Sequence, residues 1–223
     1  MVTAIVVAGG TGKRLKSRVH KSFVRLAGRP MLGWVLQALQ KAPSVRQIVI
    51  VAHPGDLDAA RRLARNGRIA KLSAVVPGGD SRMASVGCGL RAVPPGTKWV
   101  LVHDAARPLV TPALIEATVK AARRAKAAIA AVPVVPTIKQ ARGVWVEKTL
   151  DRGKLWAVQT PQVFERKLLE RAHRGANGFV ATDDAALVEA MGKRVRLVPG
   201  SERNIKVTTP EDLIVAEALL KKS

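Results

Sequence analysis

Two clusters in this sequence carry residue types that can do chemistry. The first is A-G-G-T-G-K-R-L (Ala8–Leu15). Gly9, Gly10 and Gly12 let the backbone approach a phosphate closely and turn its N–H groups toward it. Lys13 and Arg14 add positive charge. Two familiar phosphate loops do not fit. A Walker A loop needs Gly where Val7 stands and Ser or Thr where Arg14 stands, and a dinucleotide fingerprint needs a third Gly where Leu15 stands. The second cluster is H-D-A-A-R-P (His103–Pro108). Asp104 offers hard oxygen ligands suited to Mg²⁺, and Arg107 suits an anion. An Asp in such a place also serves as a turn or cap residue.

The elements around these clusters predict how they are held. Val2–Val7 reads as a buried strand leading into the glycine loop. Gln47–Ala52, Leu72–Val76, Trp99–Val102, Ala127–Val132 and Arg194–Val198 read as further strands. Helices are predicted over Pro30–Gln40, Asp56–Asn66, Ser81–Val93, Thr111–Lys126, Arg166–His173, Asp183–Met191 and Pro210–Lys221. Uniformly apolar strands alternating with helices predict an α/β fold, a doubly wound and mostly parallel sheet covered on both faces. In such a sheet, ligands sit beyond the carboxyl ends of the strands, where both clusters fall. The alternation breaks at Pro133. Thr137–Lys139 and Val144–Thr149, around Arg142-Gly143, predict a protruding β-hairpin arm at about 134–153. With no linker or repeat in view, residues 1–223 are expected to form one domain bearing that arm.

Composition bounds the function. The 223 residues are 48% hydrophobic but only 3% aromatic, with no Tyr, so the core must be aliphatic and disorder is not expected. A lone cysteine, Cys88, suits a reducing cytoplasm. The run Ala4–Ala8 lacks a basic flank and a cleavage site, so no secretory signal is expected. No apolar stretch approaches the ~20 residues of a membrane span. The net charge of +22, from 38 basic and 16 acidic residues, admits solvated helix faces, steering of anionic substrates, or nucleic-acid binding. Dispersal of the basic residues over many helices and the scarcity of stacking aromatics disfavour a specific nucleic-acid partner.

The whole chain resembles the cytidylyltransferases of the non-mevalonate isoprenoid pathway. The resemblance rests on the two clusters above together with H-K-S-F (His20–Phe23), G-G-D-S-R-M-A-S-V (Gly78–Val86) and P-V-V-P-T-I-K (Pro133–Lys139). It extends through L-D-R-G-K-L-W-A-V-Q-T-P-Q-V-F (Leu150–Phe164), A-T-D-D (Ala181–Asp184) and N-I-K-V-T-T-P-E-D-L (Asn204–Leu213). It implies a Rossmann-like nucleotidyltransferase that uses CTP and Mg²⁺ to convert 2-C-methyl-D-erythritol 4-phosphate into its CDP derivative, releasing pyrophosphate. By the same resemblance, Ala8, Gly9, Gly10 and Gly12, with Gly79, Asp80 and Ser85, hold cytosine and ribose, and Ala105 lies against the ribose. Asp104 binds Mg²⁺, while Arg14 and Lys21 grip the triphosphate. Thr160, Thr182 and Lys206 face the acceptor phosphate. Thr137 and Arg152 reach the site of a partner subunit, which implies a homodimer. Ribitol-5-phosphate cytidylyltransferases, which more often show Ala-Gly-Gly in the first loop, are the alternative. Departures from the family pattern stand at Gly9, His20, Ser22 and Pro136.

Overall fold

The computed structural model describes residues 1–10, 15, 19–176 and 181–221. Strand β1 (Val2–Ala8) is buried along nearly its whole length. A short 3-10 turn (Lys21–Phe23) and the small pairing of β2 (Arg25–Leu26) with β3 (Arg29–Pro30) lead into α1 (Met31–Lys41). Then come β4 (Val45–Ala52), a second 3-10 turn (Pro54–Asp56), α2 (Leu57–Asn66), β5 (Leu72–Pro77), α3 (Arg82–Ala92) and β6 (Trp99–Asp104). Helix α4 (Pro112–Ala125) returns the chain to β7 (Ala127–Pro133).

Local chemistry fixes these boundaries. The Ser81 side chain accepts from the Ala84 amide and starts α3, and Thr111 accepts from Leu114 and starts α4, with Pro112 in its first turn. Lys126 ends α4 in the left-handed region at φ 68°. The residues predicted as helix ends are thus the caps of slightly shorter helices.

After β7 the hairpin of β8 (Lys139–Arg142) and β9 (Trp145–Thr149) stands apart as its own two-stranded sheet, exposed throughout. The chain then re-enters the main sheet as β10 (Trp156–Glu165), a strand not predicted above. Helices α5 (Arg166–Arg174) and α6 (Asp184–Ala190), strand β11 (Arg196–Pro199) and helix α7 (Pro210–Lys221) complete the order.

The seven-stranded sheet runs β11-β7-β10-β6-β1-β4-β5. All its pairings are parallel except those of β10, which lies antiparallel between β6 and β7. The period of two sends Ala4 and Val6 to one face, against Leu32, Leu36 and Ile115. It sends Ile5 to the other face, against Val86, Val100 and Phe164. Helix α3 presses closely on that second face because it carries Gly89, where a Cβ would come within 2.5 Å of Ile5 Cγ2. Among the described residues no helix is long and apolar enough to cross a membrane.

Register brings the chemistry together. Ala8 lies opposite Ala52, and Val7 opposite Asp104. The loops after β1, β4 and β6 therefore open side by side at one edge of the sheet.

Candidate active site

A cleft of about 480 Å³ opens at that edge. Gly9 and Gly10 floor it, Lys21 and Ser22 flank it, and Gly79 and Asp80 close it from the β5–α3 loop. A Cβ at Gly79 would fall 2.7 Å from that of Ala84, so only glycine lets this loop fold so tightly onto the start of α3. Ser85 secures the loop, its Oγ 3.2 Å from the Gly79 amide. Ser22, a departure from the family pattern, is buried and donates to the Ala8 carbonyl at 2.7 Å, tying the Lys21 turn to the glycine loop. A Cβ at Gly9 would meet nothing closer than the His53 nitrogen at 3.7 Å, so Ala or Gly is tolerated there. Gly12 and Arg14 lie outside the described residues.

The inner wall of the cleft is an ionic group. Lys206 Nζ lies 2.7 Å from Asp104 Oδ2, and Arg82 Nε donates to Asp104 Oδ1 at 3.2 Å. The same guanidinium donates through Nη1 to Asp184 Oδ2 at 2.7 Å. Burial alone would push the Asp104 carboxyl upward, but the cations of Arg82 and Lys206 outweigh it and hold the group well below the usual carboxylate range. Burial likewise works against the charge on Arg82, and Asp184 and Asp104 overcome it, raising its pKa. The group sets two basic side chains against two carboxylates.

Lys206 is placed by bonds made just after it in the chain. The Val207 amide donates to the Ala106 carbonyl at 2.8 Å. At the start of α7, Asp212 accepts from the Thr209 amide at 2.9 Å while Thr209 Oγ1 accepts from the Asp212 amide at 3.2 Å, a reciprocal cap.

Beyond the ionic group lies a second cavity of about 400 Å³. Arg82, Asp104 and Lys206 line both spaces. The far side presents Thr160, Gln159 and Gln162 of β10, with Thr182. The ladder between β10 and β7 shifts register between Val158 and Gln162, and a break of this kind re-aims side chains. It brings Thr160 Oγ1 within 3.1 Å of the Asp104 amide, which donates to it, and within 3.0 Å of His103 Nδ1. His103 is sealed from solvent, and burial chiefly pushes its pKa down to about 4. Its ring is therefore neutral and serves packing.

The structure thus gathers Gly9, Gly10, Lys21, Gly79, Asp80, Ser85, Asp104 and Lys206 around the first cavity, and Arg107, Thr160 and Thr182 around the second. Arg107 lines its cavity, but Nη1 and Nη2 donate to the carbonyls of Asn204 and Val158 at 2.8 and 3.2 Å, so it braces the walls. Ala8 is buried beneath the glycine loop. Ala105 is buried too, its amide bound to Val7 O at 3.0 Å, and its neighbour Ala106 lines the cleft instead. Thr137 and Arg152 are exposed on and beside the arm and line neither cavity. Arg82 and Asp184 were not singled out from the sequence, although both fall inside quoted motifs.

The family model described as 2-C-methyl-D-erythritol 4-phosphate cytidylyltransferase matches residues 2–222. The chain is 46% identical over 225 residues to the protein of that name from Desulforamulus reducens, covering 99% of this chain and 96% of that one. Among solved structures, 4-diphosphocytidyl-2C-methyl-D-erythritol synthase from Anaerococcus prevotii superposes with a TM-score of 0.87 at 30% identity, covering 99% and 98% of the two chains. The 2-C-methyl-D-erythritol 4-phosphate cytidylyltransferase from Thermus thermophilus gives 0.81 at 33%, covering 97% and 98%. A family model matched from residue 2 to residue 222, with identity at this level over essentially the full length, means that the chain belongs to the 2-C-methyl-D-erythritol 4-phosphate cytidylyltransferase family.

Proposed function

We propose that this cytidylyltransferase carries its CTP in the first cavity and 2-C-methyl-D-erythritol 4-phosphate in the second. In this reading the two meet over the Arg82–Asp104–Lys206 group. The observation that carries the proposal is that these three residues line both cavities, so a phosphate entering from either side reaches the same charges.

The reaction joins two polyanions by in-line attack of the acceptor phosphate on the α-phosphorus of CTP, and pyrophosphate leaves. The nucleophile is already an anion, so no general base is needed. Catalysis rests on alignment and on fixed positive charge. Lys21 approaches from the turn and Lys206 from the inner wall, with Arg14 in the same role. Gly9, Gly10 and Gly12 offer backbone N–H groups to the nucleotide. Gly79, Asp80 and Ser85 hold the base and ribose, with Ala8 and Ala105 shaping the floor. Thr160 and Thr182 orient the acceptor, and Arg107 keeps their wall rigid. A net charge of +22 draws both substrates in.

Asp104 lines both cavities and would offer Mg²⁺ a carboxylate oxygen, with the Lys206 ammonium 2.7 Å away giving way to the ion. When bound there, the ion supplies neutralisation of triphosphate charge. The arm supports a homodimer. A lone hairpin is marginal in water, and this one exposes Val144, Trp145 and Val146 at 90%, 79% and 61%. In the dimer Thr137 and Arg152 serve the partner's acceptor cavity.

Pyrophosphate release with CTP and Mg²⁺ tests the reading. Turnover is expected with 2-C-methyl-D-erythritol 4-phosphate and not with ribitol 5-phosphate. The reverse preference would overturn the acceptor assignment while leaving the nucleotide half standing.

A further inference from the structure

We infer that His20, His53 and Asp56 form a binding site for a first-row transition dication, Zn²⁺ foremost, against the back of the nucleotide loop. The site lies outside both cavities and uses none of the residues assigned to CTP or the acceptor. One ligand atom from each of the three residues falls within 4.8 Å of the other two, so small rotations bring all three to one ion. The His20 and His53 rings lie 4.2 Å apart, tilted by 40°. All three side chains are partly exposed, so an ion can enter.

The ligand chemistry selects the metal. Two imidazoles and a carboxylate make the nitrogen-rich set that suits Zn²⁺, Co²⁺ or Ni²⁺ and not Mg²⁺, and three protein ligands leave a position for water. His20 is already oriented. Its Nδ1 lies 2.6 Å from Asp56 Oδ2, so these two ligand atoms already face each other, and an ion would take the place of the proton between them as they part. His53 must rearrange. Its Nδ1 accepts from the Gly55 amide at 3.1 Å, and a neutral imidazole has one lone pair. Either Nδ1 turns to the ion, or it takes the proton and Nε2 binds.

The position gives the site a consequence. His20 directly precedes Lys21, and the His53 nitrogen borders Gly9. A bound ion would fasten the Lys21 turn to the end of β4.

Co²⁺ is the probe, because tetrahedral nitrogen-and-oxygen coordination absorbs visible light intensely and octahedral oxygen coordination does so only weakly. The chelator-treated protein would be titrated with Co²⁺ in excess Mg²⁺. Wild type is expected to develop an intense band saturating at one equivalent and collapsing on addition of Zn²⁺. His53→Asn keeps an acceptor for the Gly55 amide while removing the imidazole, and it should lose the band, as should His20→Asn. Of the remaining two histidines, His103 is sealed and His173 is bonded to Asp184, so this loss locates the ion. A weak band only, or an intense band unchanged in His53→Asn, would overturn the inference.

Discussion

His103 Nε2 and the carbonyl oxygen of Arg107 are 3.2 Å apart, and since a carbonyl can only accept, the proton sits on Nε2. The other nitrogen then accepts from the Thr160 hydroxyl, which itself accepts from the Asp104 amide. A neutral imidazole thus locks the end of β6 to the break in β10.

This relationship predicts a pH dependence of stability. The folded pKa of about 4 lies below the ordinary 6.5. Between those values the unfolded chain takes up a proton that the native ring refuses, so stability is complete above about pH 6.5 and is lost as pH falls toward 4. The loss from this group is on the order of 3 kcal/mol. Asp104 also stabilises when charged, but its contribution disappears only below the unfolded carboxylate range, outside this window. Urea midpoints at pH 7 and pH 4.5 should show a smaller drop for His103→Gln than for wild type. Equal drops would exclude His103 as the source.

Lys21→Ala should lower kcat by roughly 10²–10³ with little change in KM for CTP, as expected for a charge that acts on the transition state. Steady-state kinetics separate the two. A change confined to KM would make Lys21 a ground-state binding residue.

Asp184 is only 1% exposed, and Arg82 bridges it to Asp104. Arg82→Met should destabilise the fold by about 3 kcal/mol, because it leaves the buried Asp184 carboxylate with His173 as its remaining side-chain partner, at 3.0 Å. The double variant Arg82→Met/Asp184→Asn should recover much of that loss. A double-mutant cycle on unfolding free energies reads the coupling, and additive losses would argue against the bridge.

In the proposed homodimer, Thr137→Ala and Lys206→Ala proteins should each be impaired. Co-refolded mixtures should regain activity, since one site in each hybrid holds both wild-type residues. Hybrids that form, as native mass spectrometry would show, yet stay inactive would mean that the arm does not complete the neighbouring site.

What could be read from the sequence follows from which signals are local. The strand-and-helix alternation, the caps at Ser81, Thr111 and Asp183, and the hairpin around Gly143 are all written in neighbouring residues. Strand β10 is not. Its run W-A-V-Q-T-P-Q-V-F-E carries Pro161 at its centre with Gln159, Thr160 and Gln162 around it, and a proline there argues against an interior strand. The structure accommodates it because the ladder is broken at that point. Arg82 and Asp184 were hidden for another reason. They are 102 residues apart, and their importance lies in a pairing that no local pattern announces. Lys21 and Lys206 emerged only because the resemblance supplied their roles.

The antiparallel insertion of β10 has a bearing on how such an enzyme changes over time. The parallel strands β1, β5 and β6 lead into the first cavity, whereas the far wall of the second is drawn largely from β10. Gln159 and Gln162 line that wall and bond to Asn204 and Asp183, not to the nucleotide loops, so substitutions there can alter which alcohol phosphate is accepted, whereas Thr160 also holds the Asp104 amide. Descent with a new acceptor is therefore open to this scaffold one strand at a time, and β10 is where to look for its traces.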